Sequence, residues 1–342
     1  MSESMDWPSF LDLAAQSGVE PMVLENLRTA FGDLIPSDIL KELRARERRT
    51  RLAIISKTFA HIELVRSLAK HSIESIVLKG PAIGIAAYGG YERRDFVDVD
   101  LLVHKAELVP AADVLRSLGY NALYPDNIEE WLIGSQHALE FSDGMSHVEL
   151  HWALFPRSLA LDFDLQELWL RSRLVECMHS RIRVLSAEHL FIYVCAHATK
   201  HGWSSLRFLS DFAQLADRLT ADESARAHAL SIRYGIRRMV ALGFVMMRDT
   251  FGEMPPQFLQ TDSRQKGDPL ASLARANLES GGQSSKFLPA GVGDIHPYLD
   301  LLVFWIRTRE RYRDKFRIAA MTLFSPSAQD VERGTAGVYK PF

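Results

Sequence analysis

Apolar residues in the first part of the chain recur at helical spacing. Val23, Leu24, Leu27 and Phe31 lie on one stripe, and residues 7 to 32 read as two short helices broken at Ser17-Gly18. Ile35-Pro36-Ser37-Asp38 opens a longer helix with Ser37 as its candidate N-cap. It runs to about Lys70 and turns Ile55, Phe59, Ile62 and Val65 toward a core. From about residue 73 the pattern shifts to alternation, the period of strands. Strands are expected near 75–79, 97–103, 136–142 and 146–151, and helices near 81–88 and 105–118, the second ending at Gly119. Tyr120 to Trp131 reads as an irregular connection with a short helix.

Beyond residue 161 the pattern is helical again, apart from a paired stretch at about 173–185. It continues from about 224 to 252 with Ile232, Ile236, Met239, Leu242, Val245 and Met246, and closes in a helix from about Pro297 to Leu323. Pro255-Pro256, the polar stretch Thr261 to Gly267 and Ser280-Gly281-Gly282-Gln283-Ser284-Ser285 read as breaks, and the last ten or so residues as loosely ordered. The class is α+β, in three parts: an N-terminal helical segment (1–72), an α/β unit (73–160) and a large, mainly helical C-terminal domain (161–342).

Composition adds limits. The chain has 342 residues, 47% hydrophobic and 24% charged, an ordinary globular make-up whose length suits two domains or one with a large extension. A net charge of −3 gives no global basic field for nucleic acid. Cys177 and Cys195 form no disulfide framework and point to a reducing compartment. Met1-Ser2-Glu3-Ser4-Met5-Asp6 lacks the apolar core of a secretory signal, and no apolar run is long enough to span a membrane. A cytoplasmic location is expected.

The chemistry gathers on the alternating segments. In Arg94-Asp95-Phe96-Val97-Asp98-Val99-Asp100-Leu101-Leu102-Val103 the strand period sends Asp98 and Asp100 to one face, and Val97, Val99, Leu101 and Val103 to a core. Paired carboxylates repel, and a hard divalent cation with oxygen ligands offsets that repulsion. In His147-Val148-Glu149-Leu150-His151-Trp152, Glu149 shares a face with His151 and supplies a third carboxylate if this strand lies beside the first. Three acids can hold two Mg²⁺ ions. Upstream, Leu78-Lys79-Gly80-Pro81 reads as a strand end, a turn and a helix start, where backbone N–H groups and Lys79 can meet phosphate. His151 has the options of general base, phosphate partner or support for the acid.

Other features read more blandly. His197 and His201, at i and i+4, have zinc-compatible spacing. Ala198 stands where a zinc protease carries glutamate, and Lys200 adds an adjacent cation. Arg207 and Asp211 share a helix face and can pair. The five arginines between Arg44 and Arg51, and the basic run Arg307 to Lys315 around Tyr312, read first as solvated helix faces and secondarily as nucleic-acid contacts.

Taken together, Leu78-Lys79-Gly80, Arg94, Asp98-Val99-Asp100-Leu101-Leu102-Val103 and Val148-Glu149-Leu150-His151-Trp152 resemble the nucleotidyltransferase superfamily with a DNA-polymerase-β-type palm. More closely, they resemble a bacterial family of uncharacterised nucleotidyltransferases with the pattern L-K-G, an Arg four before D-x-D-L-L-V, then (V/I)-(D/E)-L-H-W. Ala196-His197-Ala198-Thr199-Lys200-His201 and Leu206-Arg207-Phe208-Leu209-Ser210-Asp211 fit the helical half of that family. The likeness covers roughly residues 50 to 215, with a fainter echo at Leu323-Phe324-Ser325-Pro326. One departure is Pro81, which brings neither hydroxyl nor N–H to a position where the superfamily carries serine or glycine.

The resemblance implies a small mixed-sheet nucleotidyltransferase palm over residues 73–160, between the helical parts. It implies transfer of a nucleoside monophosphate from an NTP, ATP among them, to an acceptor hydroxyl with release of pyrophosphate. Asp98, Asp100 and Glu149 would be the catalytic metal ligands, with Mg²⁺ or alternatively Mn²⁺ as cofactor. Lys79, Gly80, Arg94, His151 and Lys200 would be the nucleotide-binding residues. Acceptor classes open at this point are a small molecule, an RNA end and a protein. The alternative is a catalytically degenerate module that binds nucleotide or a partner on the same fold.

Overall fold

In the computed structural model the described residues are 5–32, 35–125, 129–252, 269–281 and 297–324. The expected breaks at Pro255-Pro256, 261–267 and 282–285, and the last residues, lie outside them. Helices α1 (Trp7–Gln16) and α2 (Glu20–Ala30) meet at Ser17-Gly18, and α3 (Ser37–Lys70) follows. Ser37 is the first residue of α3 rather than its cap. Pro36 holds the cap position in extended conformation, with no side chain closing the turn. The buried stripe of α3 includes Ile54, Thr58, His61, Ile62, Leu64 and Leu68, so Ile62 faces the core as expected while Phe59 is 55% exposed. Contact with the sheet sets that stripe, and two polar residues occupy it. Within the arginine-rich stretch, Arg46 pairs with Glu20 and Asp12, and Arg51 with Glu92. These arginines dock α3 on its neighbours.

The sheet has seven strands: β1 (Ile76–Val77), β2 (Asp98–Leu102), β3 (Asn121–Ala122), β4 (Ala138–Ser142), β5 (His147–His151), β6 (Arg173–Cys177) and β7 (Ser180–Val184). Their order is β3-β4-β5-β2-β1-β7-β6. It is mixed: β2 runs parallel to β5 and β1 parallel to β7, and the other neighbours are antiparallel. The paired stretch at 173–184 is thus an edge of this sheet, adjoining β1. Helices α4 (Pro81–Tyr88), α5 (Leu108–Ser117) and α6 (Glu129–Ser135) lie between strands.

Alternation divides the strand residues between two cores. Val77, Val99, Leu101, Val103, Val148 and Leu150 share one core with α3 and α5. Ile76, Leu78 and Leu102 belong to the other, with Ile83 and the helical half. Val97 departs from the expected core face: it precedes β2 and is 65% exposed.

The helical half comprises α7 (Leu165–Arg171), α8 (Ala187–Lys200), α9 (Leu206–Arg218), α10 (Ala221–Tyr234), α11 (Arg237–Phe251), α12 (Pro269–Glu279), α13 (Pro297–Thr308) and α14 (Tyr312–Phe324). The single helical pattern at 224–252 is two helices, because Gly235 ends α10 in the left-handed conformation. The expected final helix is also split. Arg309 turns inward at the break, where its guanidinium donates to the carbonyls of Ala160 and Tyr234 and pairs with Asp314. Arg311 donates to the carbonyls of Ile232 and Arg233. The basic run is therefore partly a bracket for α10, not a free cationic face. Among the described residues no helix is long and apolar enough to cross a membrane.

Sheet and helical half are tied by a buried ion pair. Arg94 Nε and Nη2 donate to both oxygens of Asp211 on α9 at 2.7–2.9 Å, and Tyr88 Oη donates to the same carboxylate at 2.9 Å. Removing one partner of a buried pair leaves the other charge uncompensated. Asp211→Ala is expected to lower unfolding free energy by about 3–5 kcal/mol, measurable by denaturant titration.

A second prediction concerns His61, buried in α3 against Phe96 with both ring nitrogens unpartnered. Burial pushes its pKa down to about 4, opposed by the charge of Asp100. Between that value and the unfolded value near 6.5 the unfolded chain binds more protons, so acidification costs stability. The His61 contribution is about 2 kcal/mol between pH 7 and pH 5. His61→Leu is expected to raise stability at pH 7 by about 1–2 kcal/mol and to flatten the loss below pH 6.5. Thermal melts across pH check both.

Candidate active site

Three neighbouring strands build the acidic side of the site. Leu78 N donates to Asp100 O at 3.0 Å, continuing the pairing of β1 with β2 and bringing Lys79 beside Asp100. The Lys79 ammonium lies 2.6 Å from Asp100 Oδ1. The turn at Gly80 (φ +54°) leads into Pro81, first residue of α4. A Cβ at Gly80 would sit 3.3 Å from the Phe96 ring, so both backbone angle and space favour glycine. On the other side of β2, the parallel register sets Asp100 opposite Glu149 and Leu102 opposite His151. His151 Nε2 lies 3.3 Å from Asp100 Oδ1 and 3.1 Å from Glu149 Oε2. The potential metal-ligating atoms of Asp100, Glu149 and His151 all lie within 4.8 Å of one another.

The charges interlock. Burial alone would pull the Lys79 ammonium down, but Asp100, with smaller contributions from Glu149 and Asp98, holds its pKa well above the usual lysine value. Burial likewise opposes the His151 imidazolium, and hydrogen bonds to Asp100 and Glu149 outweigh it and raise its pKa. Burial works against ionisation of Glu149, yet its bond to His151 carries its pKa well below the carboxylate range. Asp98 shifts the other way: burial and the negative charge of Asp100 raise it, against the pull of Lys79.

Helices α8 and α9 form the opposite wall of a cleft of about 200 Å³. Lys79, Arg94, Phe96, Val97, Asp98, Asp100 and Glu149 line it from the sheet side, and Tyr193, His197, Lys200, His201, Arg207, Phe208 and Asp211 from the helices. His197 Nε2 lies 3.3 Å from Lys79 Nζ. Burial and the Lys79 charge hold His197 well below its usual pKa, so its neutral nitrogen accepts from the ammonium. Burial, with the charge of Lys200, takes His201 down to about 4. Its ring stacks near Phe208 at 5.5 Å.

The two remaining cations differ from Lys79 and Arg94. Among the described residues neither Lys200 Nζ nor the Arg207 guanidinium has an ion-pair or hydrogen-bond partner, and Arg207 Nε is buried. Burial first, then neighbouring cations, lower the pKa of both: Lys79 for Lys200 and Arg94 for Arg207.

The structure thus brings Lys79, Arg94, Asp98, Asp100, Glu149 and Lys200 to one cleft, with Gly80 and His151 behind its lining. Three local features follow from the fold. Asp211 pairs with Arg94, not with Arg207. Lys79 and Arg94 are both engaged with carboxylates rather than presented bare. Asp100 is 1% exposed, so it belongs to the buried structure as well as to the site. Arg207 and His197 complete the wall. Both lie in segments that matched the helical half of the family, and the free head of Arg207 follows only from knowing that Asp211 is taken.

No curated protein matches the chain. Among solved structures, a crystal structure of ANT(2'')-Ia in complex with adenylyl-2''-tobramycin aligns at 15% identity and a TM-score of 0.39, covering 52% of this chain and 98% of that one. A solution structure of the antibiotic-resistance factor ANT(2'')-Ia aligns at 15% identity and 0.38, covering 54% and 94%. The family described as "Uncharacterised nucleotidyltransferase" matches residues 3–252, most of the chain and all of the cleft, and the protein belongs to that family.

Proposed function

We propose that the chain transfers a nucleoside monophosphate from an NTP to a hydroxyl of an acceptor, releasing pyrophosphate. Asp98, Asp100 and Glu149 would hold Mg²⁺, or Mn²⁺ in its place. The observation that carries this reading is the β2–β5 register, which lays Asp100 against Glu149 on the face that looks across the cleft at two cations unpartnered among the described residues. Carboxylate oxygens suit a hard dication such as Mg²⁺ or Mn²⁺. When bound, such an ion neutralises charge on the attacking and leaving oxygens.

The residues of the chain divide the remaining work. Lys200 and Arg207 bind phosphate oxygens from the helical wall, since neither is committed to a carboxylate. Lys79 and His151 hold Asp100 and Glu149 in place, and Arg94 holds the wall through Asp211 while adding positive potential. The Gly80 turn lets the chain pass beneath the cleft over Phe96. Phe208, Tyr193 and Val97 give apolar surface for a base or an acceptor. The acceptor hydroxyl belongs to a small molecule, an RNA end or a protein.

A second reading, the degenerate binding module, draws on one observation: Asp100 is already satisfied by Lys79 and His151. One experiment separates the two. Thermal unfolding is followed with each of the four NTPs, with and without Mg²⁺, for the wild type and Asp98→Ala. Asp98 is the right probe because it lies at the rim, whereas truncating Asp100 would strand Lys79. Ligand at 100 times its Kd adds about 2.7 kcal/mol. The transferase reading expects an Mg²⁺-dependent shift in the wild type and its loss in a folded Asp98→Ala. A shift that needs no metal and survives the substitution would favour a nucleotide-binding module, and no shift with any NTP in a folded protein would remove the transferase reading and leave the module as a partner binder.

A further inference from the structure

The corner between α1 and α2 reaches the cleft wall. Ser17 O accepts the Arg207 N–H at 3.2 Å and the Ser205 hydroxyl at 2.9 Å, and Ser205 Oγ also accepts from Arg207 N at 3.2 Å. Gly18 lies against the Arg207 side chain. A Cβ there would come 3.1 Å from Arg207 Cδ, 3.2 Å from its Cβ and 3.3 Å from Nε, and Gly18 has φ +70°. The corner is itself anchored, because Arg46 of α3 clasps Glu20 and Asp12, and Glu25 pairs with Arg93 at 3.4 Å.

These contacts restrict a side chain that would otherwise sample many rotamers. The Gly18 backbone walls one side of the Arg207 shaft, and the Phe208 ring lies 5.8 Å from the guanidinium carbon. The head is left over the cleft with a buried, unpartnered Nε. A desolvated guanidinium with no carboxylate of its own is completed by an anion. Lys79 and Arg94, by contrast, already hold theirs.

We infer that the Ser17-Gly18 corner is a positioning element of the active site, setting the Arg207 guanidinium toward the phosphate tail of the nucleotide. The N-terminal helices thereby take part in triphosphate recognition without touching the ligand. This rests on the nucleotide-transfer reading and goes beyond it by assigning a role to an N-terminal segment remote in sequence from the acids.

The test measures affinity rather than turnover. Calorimetric binding of Mg²⁺-tripolyphosphate and of each Mg²⁺-NTP is compared for the wild type, Gly18→Ala, Ser205→Ala, Ser205→Thr, Arg207→Ala and the double variant Gly18→Ala/Arg207→Ala, each checked for a cooperative melt. Arg207→Ala is expected to weaken tripolyphosphate binding about tenfold or more. Gly18→Ala and Ser205→Ala weaken it several-fold, Ser205→Thr restores it, and the double variant binds no worse than Arg207→Ala alone. Wild-type affinity in both Gly18→Ala and Ser205→Ala would overturn the positioning role while leaving nucleotide transfer standing. So would full additivity in the double variant. A wild type that binds neither tripolyphosphate nor any NTP would overturn both. Should Gly18→Ala fail to fold, the Ser205 pair decides, since alanine removes the hydroxyl that reaches Ser17 and threonine keeps it.

Discussion

The parallel pairing of β2 with β5 is the constraint on which the site depends. A one-residue slip would send every side chain of one strand to the opposite face. In the observed register Asp100 and Glu149 stand side by side, an arrangement that costs free energy unless charge compensates it. The compensation comes from the same sheet. Lys79 follows β1, which pairs with β2, and His151 lies two residues beyond Glu149 on β5. The Lys79 ammonium lies against Asp100, and the His151 ring lies within hydrogen-bond reach of both Asp100 and Glu149, so the paired acids are compensated from within the sheet.

The opposite wall follows another rule. Its histidines, His197 and His201, are kept neutral by burial and by nearby cations, so its positive potential resides in Lys200 and Arg207. Arg94 looks similar in sequence but is bound to Asp211. The cleft therefore has an acidic side whose carboxylates are largely partnered, with Asp98 at its rim, and a cationic side that, among the described residues, keeps two open donors. In the proposed transferase that asymmetry would separate the place of the metal ion from that of the phosphates, and it arises from which charges are already paired.

Much of this was legible in the sequence. Alternation located β2 and β5 and the shared face of Asp98, Asp100, Glu149 and His151. Helical spacing located the α1–α2 break and the span of α3. What escaped was non-local. Nothing near residues 173–184 tells that this hairpin joins β1 to extend the sheet, because strand partnership is decided by tertiary packing. Val97 obeys the alternation but precedes the paired strand, so no core covers it. Arg309 sits in a basic run that reads as solvated, yet three partners distant in the fold or across a turn draw it inside. Arg207 and Asp211 are well spaced to pair, and Arg94, from the segment leading into β2, takes the aspartate instead. Local spacing proposes pairs, but desolvation and geometry choose among them.

The free cations also explain why the helices outside the palm belong to the site. Lys200 is the last residue of α8, where helix carbonyls lack partners within the helix. Trp305 of α13 donates its indole N–H to Lys200 O at 2.9 Å, and Asn277 of α12 donates to Gly202 O at 2.8 Å. The end of α8 is thus capped by side chains remote in sequence, which fixes the backbone that carries Lys200 and His201. At the start of α9, the Ser17 carbonyl receives Arg207 N in the same manner. Each of the two uncommitted cations therefore stands at a helix end, where the backbone is least determined by its own hydrogen bonds, and each end is closed by a segment from a different terminus of the chain. A palm and two helices would make the acids and the cleft, but only the flanking helices hold its open donors in position.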